Sequence, residues 1–185
     1  MLFIITGPRE AGKSTVCGHL VALAQTEGWQ VGGILSPAVF EAGQKTGIEI
    51  INLRTGQRRL LAVRCPVDQP QTALHTDHWR FDAEVLAWGD VVLQRATPCD
   101  LLIVDELGPL EFERDAGWQA GLTALDSGQY RWALVIIRPE LLDTACQRWP
   151  AAHVIQVTPA TDLKARAKRL ARQFLGKTNH DSPLE

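Results

Sequence analysis

No stretch of this sequence is apolar for the roughly 18 residues that a bilayer-spanning helix needs, so a helical membrane span is not expected. The apolar opening run, Met1 to Ile5, is too short for a signal peptide and carries no basic flank. Neither sign of charge dominates. The 19 Lys and Arg against 21 Asp and Glu leave a formal net charge of −2, which removes any general electrostatic reason to bind nucleic acid or a membrane surface. Cys17, Cys65, Cys99 and Cys146 lie far apart and form no CxxC pair. That pattern argues against both a zinc site and a disulfide framework, and makes a reducing cytoplasm the expected location. Internal repeats, low-complexity tracts and interdomain linkers are also lacking. With 45% hydrophobic and 22% charged residues, the composition is not that of a disordered chain, and 185 residues suffice for one continuous core.

What is present is an alternation of strands and helices. Leu2 to Thr6 is a continuous β-rich apolar run of buried-strand type. Val16, Leu20, Leu23 and Ala24 then recur at helical spacing, and Gly28 closes the helix. Val31 to Ser36 reads as a second strand. Gly47 to Leu53 and Arg59 to Val63, separated by "RTGQR", read as a β-hairpin. Residues 65 to 80 have no period and read as a long loop. Phe81, Val85, Trp88 and Val92 return to helical spacing. Leu101 to Val104 is a buried strand, Ala116 to Leu125 a helix and Trp132 to Ile137 another strand. "RPELLDTACQRW" reads as a short helix with Pro139 in its first turn, stopped by Pro150. His153 to Val157 is the last strand. Thr158 and Pro159 are expected to start a final helix with Leu163, Ala167, Leu170, Ala171 and Phe174 on its apolar face. Such alternation implies a mostly parallel sheet covered by helices on both faces, with an added β-hairpin. We expect one domain over 1–176, a hairpin insertion near 47–64, and a disordered tail at 177–185.

The first strand runs into "TGPREAGKST". Gly7 to Ser14 fits the phosphate-binding loop pattern GxxxxGK(S/T), known as Walker A, in the strand–turn–helix context that the mechanism requires. Backbone N–H groups of Gly7, Pro8's neighbour Arg9, Glu10, Ala11, Gly12, Lys13, Ser14 and Thr15 can converge on phosphate oxygens at the helix N-terminus. Lys13 is the expected β/γ-phosphate contact, and the Ser14 hydroxyl the expected Mg²⁺ ligand.

A phosphate loop calls for a metal-supporting carboxylate at the end of another buried strand. "LLIVDELGPLE" supplies Asp105 there, followed at once by Glu106. Asp105 is the candidate metal carboxylate, and Glu106 the candidate base or orienting group for the attacking water. A carboxylate directly after the metal aspartate favours hydrolysis over transfer to another acceptor. Arg138 ends "WALVIIR". If its strand lies between those of the phosphate loop and Asp105, its guanidinium faces the γ-phosphate; otherwise it is a solvent-facing strand end. Arg9 is a second candidate for the same role.

Other signals carry less. "LDSGQYR" echoes the signature of transporter ATPases but follows the Asp105 strand, so it reads as a helix end with Gly128 as cap. "TNHD" is not the guanine-reading motif, because its lysine is replaced. His75 and His78 with Cys65 read as surface residues before they read as a metal site. The last helix carries Lys164, Arg166, Lys168, Arg169 and Arg172 against Asp162, which reads first as a solvated face and second as a phosphate or RNA contact. Among the 6 tryptophans, Trp79 and Trp118 are candidates to stack on a base.

"GPREAGKST", "GGILSPAVFEAGQKTGIEIINLRTGQRRLLA" and "LLIVDELGPLE" follow one another in an order and spacing that resemble the THEP-type, or cancer-related, nucleoside-triphosphatases. The middle block matches at Gly32, Gly33, Glu41, Lys45, Gly47, Ile48, Thr55, Gly56, Leu61 and Ala62, and the last at Asp105 to Glu111. Lys45 stands where the family turn is richer in arginine, and residues 65–80 match poorly. The resemblance implies a RecA-like P-loop fold and Mg²⁺-dependent hydrolysis of ATP, GTP and other nucleoside triphosphates. It also implies Lys13 and Ser14 on phosphates and metal, Asp105 on the metal and Glu106 near the water. Two rivals remain. One is a P-loop small-molecule kinase with a lid built from Arg54, Arg58, Arg59 and Arg64; the other is a slow nucleotide-dependent RNA-associated regulator.

Overall fold

The computed structural model describes residues 1–65, 79–159 and 162–175. His75, His78, most of the 65–80 segment, the side chain of Phe174 and the 177–185 tail lie outside the described residues.

The chain runs β1 (Leu2–Thr6), α1 (Lys13–Thr26), β2 (Val31–Leu35), β3 (Ala38–Glu41), β4 (Gln44–Asn52), β5 (Arg58–Arg64) and β6 (Trp79–Phe81). It continues through α2 (Ala83–Gln94), β7 (Cys99–Leu107), α3 (Pro109–Glu113), α4 (Gln119–Asp126) and β8 (Tyr130–Ile137). A 3₁₀ turn at Pro139–Leu141 leads into α5 (Leu142–Arg148), then β9 (His153–Gln156) and α6 (Leu163–Leu175). The described strands form one sheet in the order β6-β5-β4-β2-β7-β8-β1-β9, with β3 paired to β4. From β2 to β9 every neighbouring pair is parallel; β2–β4 and the strands beyond are antiparallel.

Both faces of β2, β7, β8 and β1 are buried, as their near-continuous apolar runs require, while β9 at the edge is mostly exposed. Leu2 and Ile4, Leu102 and Val104, Ala133, Val135 and Ile137 face a core shared with α2, α4 and α5. Their alternates Phe3 and Ile5, Leu101 and Ile103, Trp132, Leu134 and Ile136 face a second core under α1 and α6. This is the mostly parallel, two-sided sheet that the sequence pattern implied.

The added antiparallel part is larger than a hairpin at 47–64. It takes in β3 and β6, forming a four-stranded wing. β3 is short and mostly exposed, so it lacks the alternation that marks a half-buried strand. The turn between β4 and β5 does follow the "TG" expectation: Gly56 adopts φ 74, and Asn52 Oδ1 accepts from Arg54 N at 3.0 Å.

Three helix starts differ from the sequence reading. Phe81 belongs to β6, and Asp82 caps α2 by accepting from the N–H groups of Glu84 and Val85. The helix expected over 116–125 starts only at Gln119, because Asp115 and Gly117 take left-handed backbone between it and the short α3 that precedes it. Finally, α6 is capped by Asp162, which accepts from Ala165 N at 2.7 Å, and not by Thr158 and Pro159. Asp162 offers the same acceptor chemistry closer to the apolar face at Leu163 and Ala167.

Candidate active site

The site is assembled at the carboxyl ends of four adjacent parallel strands. Along the sheet these are β2, ending before Ser36; β7, carrying Asp105 and Glu106; β8, ending before Arg138; and β1, which enters the glycine-rich loop. The β8 strand therefore lies between the other two, which was the condition set for Arg138.

The loop from Gly7 to Gly12 joins a fully buried strand to a helix of 14 residues. Gly7 has φ 145, and a Cβ there would sit 2.0 Å from the Val157 carbonyl oxygen. Glycine is thus required where the loop leaves β1 beside β9. Gly12 caps α1 in the left-handed region, and no side chain caps the helix. No acidic side chain lies in its first turn either. The N–H groups of that turn, with the positive end of the helix dipole, are left for an anion. Pro8, Arg9, Glu10 and Thr15 are exposed, Ser14 half-buried, and Ala11 and Lys13 buried. The Lys13 ammonium donates to the Gly7 carbonyl at 2.8 Å and the Pro8 carbonyl at 2.9 Å, folding its charge back over the loop.

Asp105 is 2% exposed and is hydrogen-bonded by the Ser14 hydroxyl, so the two expected metal ligands are neighbours. A carboxylate beside a hydroxyl is a hard, all-oxygen donor pair that fits a divalent cation such as Mg²⁺. Burial pushes the Asp105 carboxyl up to about 7. Hydrogen bonds from Ser36 N–H and Ser14 and the charge of Lys13 oppose that rise, while the charge of Glu106 adds to it.

Glu106 does not stand alone. Its Oε1 accepts from Arg138 Nε at 2.5 Å, so the candidate base and the candidate charge-stabilising arginine form one ion pair. Next along the chain, Glu111 is 6% exposed and accepts from Gly108 N at 2.8 Å and Trp118 N at 2.9 Å. Burial raises the Glu111 pKa, partly offset by those two N–H groups and by the charge of Arg138. Its carboxylate thereby ties down the segment that follows Glu106.

Three expectations need correction. Trp118 is 5% exposed and donates its indole N–H to Leu86 O, so it is a core residue of α2 and α4 and presents no face for a base. Trp79 lies in β6 under the Lys45 ammonium, six strand positions from β1, or about 29 Å at the usual strand spacing. Three of the four arginines proposed as a kinase lid are engaged elsewhere. Arg54 donates to the Ala96 and Pro98 carbonyls, Arg58 pairs with Glu49, and Arg59 stacks on Trp88.

Sequence reasoning passed over Ser36. Its N–H donates to Asp105 Oδ2 at 2.9 Å and its Oγ to the Asp105 main-chain oxygen at 2.5 Å. The readable signal was a hydroxyl placed just after a buried strand that neighbours the Asp105 strand.

Residues 2–161 match the model of a family described as NTPase. The chain belongs to this NTPase family. Over 128 residues the NTPase is 34% identical to the nucleoside-triphosphatase THEP1 of Methanopyrus kandleri, an alignment covering 67% of each chain. Over 117 residues it is 32% identical to the THEP1 of Methanothermobacter thermautotrophicus, covering 61% of this chain and 63% of that one. The chain thus spans about two thirds of the length of these curated relatives. Its fold is similar to the solution structure of a human cancer-related nucleoside triphosphatase, with a TM-score of 0.68 at 18% identity over 98% of both chains. It is also similar to the crystal structure of THEP1 from Aquifex aeolicus, with a TM-score of 0.63 at 18% identity over 92% of this chain and 96% of that one. The NTPase is accordingly of the P-loop fold. Among its described residues no helix is long and apolar enough to cross a membrane.

Proposed function

We propose that the chain hydrolyses nucleoside triphosphates to diphosphate and phosphate with Mg²⁺, within one domain spanning about residues 1–176. The observation that carries this reading is the convergence, on neighbouring strand ends, of the uncapped helix behind Gly12, the buried Asp105 and the Glu106–Arg138 pair. In this reading the loop from Gly7 to Thr15 wraps the phosphates, and Lys13 leaves the Gly7 and Pro8 carbonyls to reach the β- and γ-oxygens. Ser14 and Asp105 would hold Mg²⁺, which when bound would neutralise the charge developing on the phosphates. Glu106 orients a water and takes its proton as the water oxygen bonds to the γ-phosphorus. The bond from that phosphorus to the β–γ bridging oxygen breaks, leaving the diphosphate. Arg138, already beside Glu106, faces the charge that builds on the γ-oxygens.

The kinase alternative loses its main structural support, since Arg54, Arg58 and Arg59 have partners on the wing, on α2 and before β7. A reducing cytoplasm remains the location that best suits four free cysteines.

The deciding experiment measures phosphate release from ATP, GTP, CTP and UTP with Mg²⁺, for the native chain and for Glu106→Gln. Release from several triphosphates, lost in the variant while nucleotide still binds, is expected. Intact binding without release from any of them would overturn the hydrolase reading.

A further inference from the structure

The "GGILSP" segment, residues 32 to 37, contains no residue assigned above to phosphate, metal or water, yet it is packed against the Asp105 strand over its whole length. Gly32 and Gly33 sit on neighbouring backbone with no room for a side chain. A Cβ on Gly32 would lie 2.1 Å from the Ala96 carbonyl oxygen, and one on Gly33 1.9 Å from that of Ile103. Gly33 also has φ +97, which glycine alone adopts without strain. Gly33 seats β2 closely on β7, and Gly32 seats it on the turn at Ala96 that leads into β7, in a parallel register that pairs Ile34 with Val104. Ser36, two residues on, is then level with the end of β7.

At that level Ser36 makes two bonds to one residue. Its N–H holds Asp105 Oδ2 at 2.9 Å and its hydroxyl holds the Asp105 main-chain carbonyl at 2.5 Å. One contact restrains the side-chain torsion of Asp105, and the other restrains the peptide plane from which that side chain springs. Pro37 disfavours helical backbone at the preceding residue, so Ser36 is itself held extended. The Pro37 carbonyl in turn accepts from Glu49 N at 3.0 Å, which anchors the clamp to β4 of the wing.

We propose that Ser36 is a positioning residue for the divalent-cation site: it fixes the Asp105 carboxylate toward Ser14, and the glycine pair and Pro37 hold Ser36 in place. This rests on the reading of Asp105 as the metal carboxylate. Groups that orient a ligating carboxylate lower the cost of assembling the site when the ion arrives, and their loss typically weakens metal affinity by about 10- to 100-fold. Ser36→Ala keeps the N–H bond and removes only the hydroxyl, so the lower end, about tenfold, is the expected loss.

The test is Mn²⁺ binding in the presence of ADP, followed by electron paramagnetic resonance, alongside ADP binding in EDTA and thermal melting. Ser36→Ala should weaken Mn²⁺ about tenfold with metal-free ADP affinity unchanged, and Ser36→Thr should restore it. Where alanine does not yield folded chain, Ser36→Cys, similar in volume and a weak donor, is read the same way. A lower melting temperature with unchanged Mn²⁺ affinity overturns the proposal and leaves Ser36 a purely structural bond. Asp105→Asn separates the two layers. If it too leaves Mn²⁺ affinity unchanged, the metal reading of Asp105 fails; if only Ser36→Ala is silent, the clamp alone fails.

Discussion

Arg138 Nε and Glu106 Oε1 are 2.5 Å apart, so the two groups proposed to act on the γ-phosphate are bonded to each other. An arginine paired this way screens the carboxylate that should accept a proton, and it needs a competing anion to draw it off. The γ-phosphate is such an anion. Under the proposed reading the pair would act as a unit.

Each member should consequently be costly to remove, and the costs should not add. Glu106→Gln is expected to lower kcat by about 10²- to 10⁴-fold, the usual worth of a positioned base. Arg138→Ala should lower it by roughly 10³-fold or more, as for a charge-stabilising arginine supplied in cis. The double variant should fall little further than the worse single one. Phosphate release under saturating nucleotide checks this, and strictly multiplicative losses would show that the two residues act independently.

Asp105 makes stability depend on pH in the metal-free protein. Its carboxyl moves from 3.8 to about 7 on folding, chiefly by burial. Between those values the native state holds a proton that the unfolded chain releases, so stability is full below about pH 4 and declines as pH rises toward 7, by about 4 kcal/mol at most. Asp105→Asn removes the ionisation. The metal-free variant should melt higher than the native chain at pH 8 and lose this part of the pH dependence, while no longer gaining stability from Mg²⁺ with ADP. Melting curves with equal pH dependence in both proteins would exclude this account.

Gly7 and Gly43 both have positive φ, but only Gly7 is crowded: a Cβ would lie 2.0 Å from the Val157 carbonyl at Gly7 and meets nothing within 4 Å at Gly43. Gly43→Ala should therefore cost only the backbone strain, about 1–2 kcal/mol. Gly7→Ala should cost more, because either the loop or β9 must move, and nucleotide affinity should fall with it. Denaturant midpoints and nucleotide titrations measure both effects. Equal losses at the two glycines would mean that the β9 contact does not constrain the loop.

The placement of the candidate residues at strand ends was legible because short, contiguous runs encode it. Buried strands such as Leu101 to Val104 announce themselves by apolar composition, and the residue after each one must lie at the sheet's carboxyl edge. What the sequence did not disclose depends on which strands are neighbours. Whether the Arg138 strand lies between those of the phosphate loop and Asp105 was open until β8 was seen between β1 and β7. Ser36 looked like an ordinary strand end because nothing local says that β2 lies against β7. Trp118 failed for a related reason: nothing local says that packing between α2 and α4 buries its ring. The wing was underestimated because exposed, polar strands such as β3 carry no period.

Glu111 links the stability of the fold to the chemistry at Glu106. Its two oxygens take the N–H groups of Gly108 and Trp118, at the two ends of the segment that joins β7 to α4. Space there is fully used, since a Cβ on Gly117 would lie 2.0 Å from Glu111 Oε1. Glu111→Ala leaves both donors without their acceptor, at about 1–3 kcal/mol for each that stays buried. For a chain of this size each kcal/mol lowers the melting temperature by about 2–4 °C, so with both donors left buried a drop of roughly 4–24 °C is expected. Glu111→Gln retains one acceptor oxygen and should fall between. Because the phosphate loop hangs from β1 and not from this segment, nucleotide affinity should hold while kcat declines, as Glu106 at the end of β7 loses the support of the segment that follows it. Melting, nucleotide binding and phosphate release on the same three proteins give the comparison. A melting temperature unmoved in Glu111→Ala would mean that the segment is held by its apolar contacts alone. A loss of nucleotide affinity equal to the loss of kcat would mean that Glu111 supports the whole site, and not the Glu106 side of it.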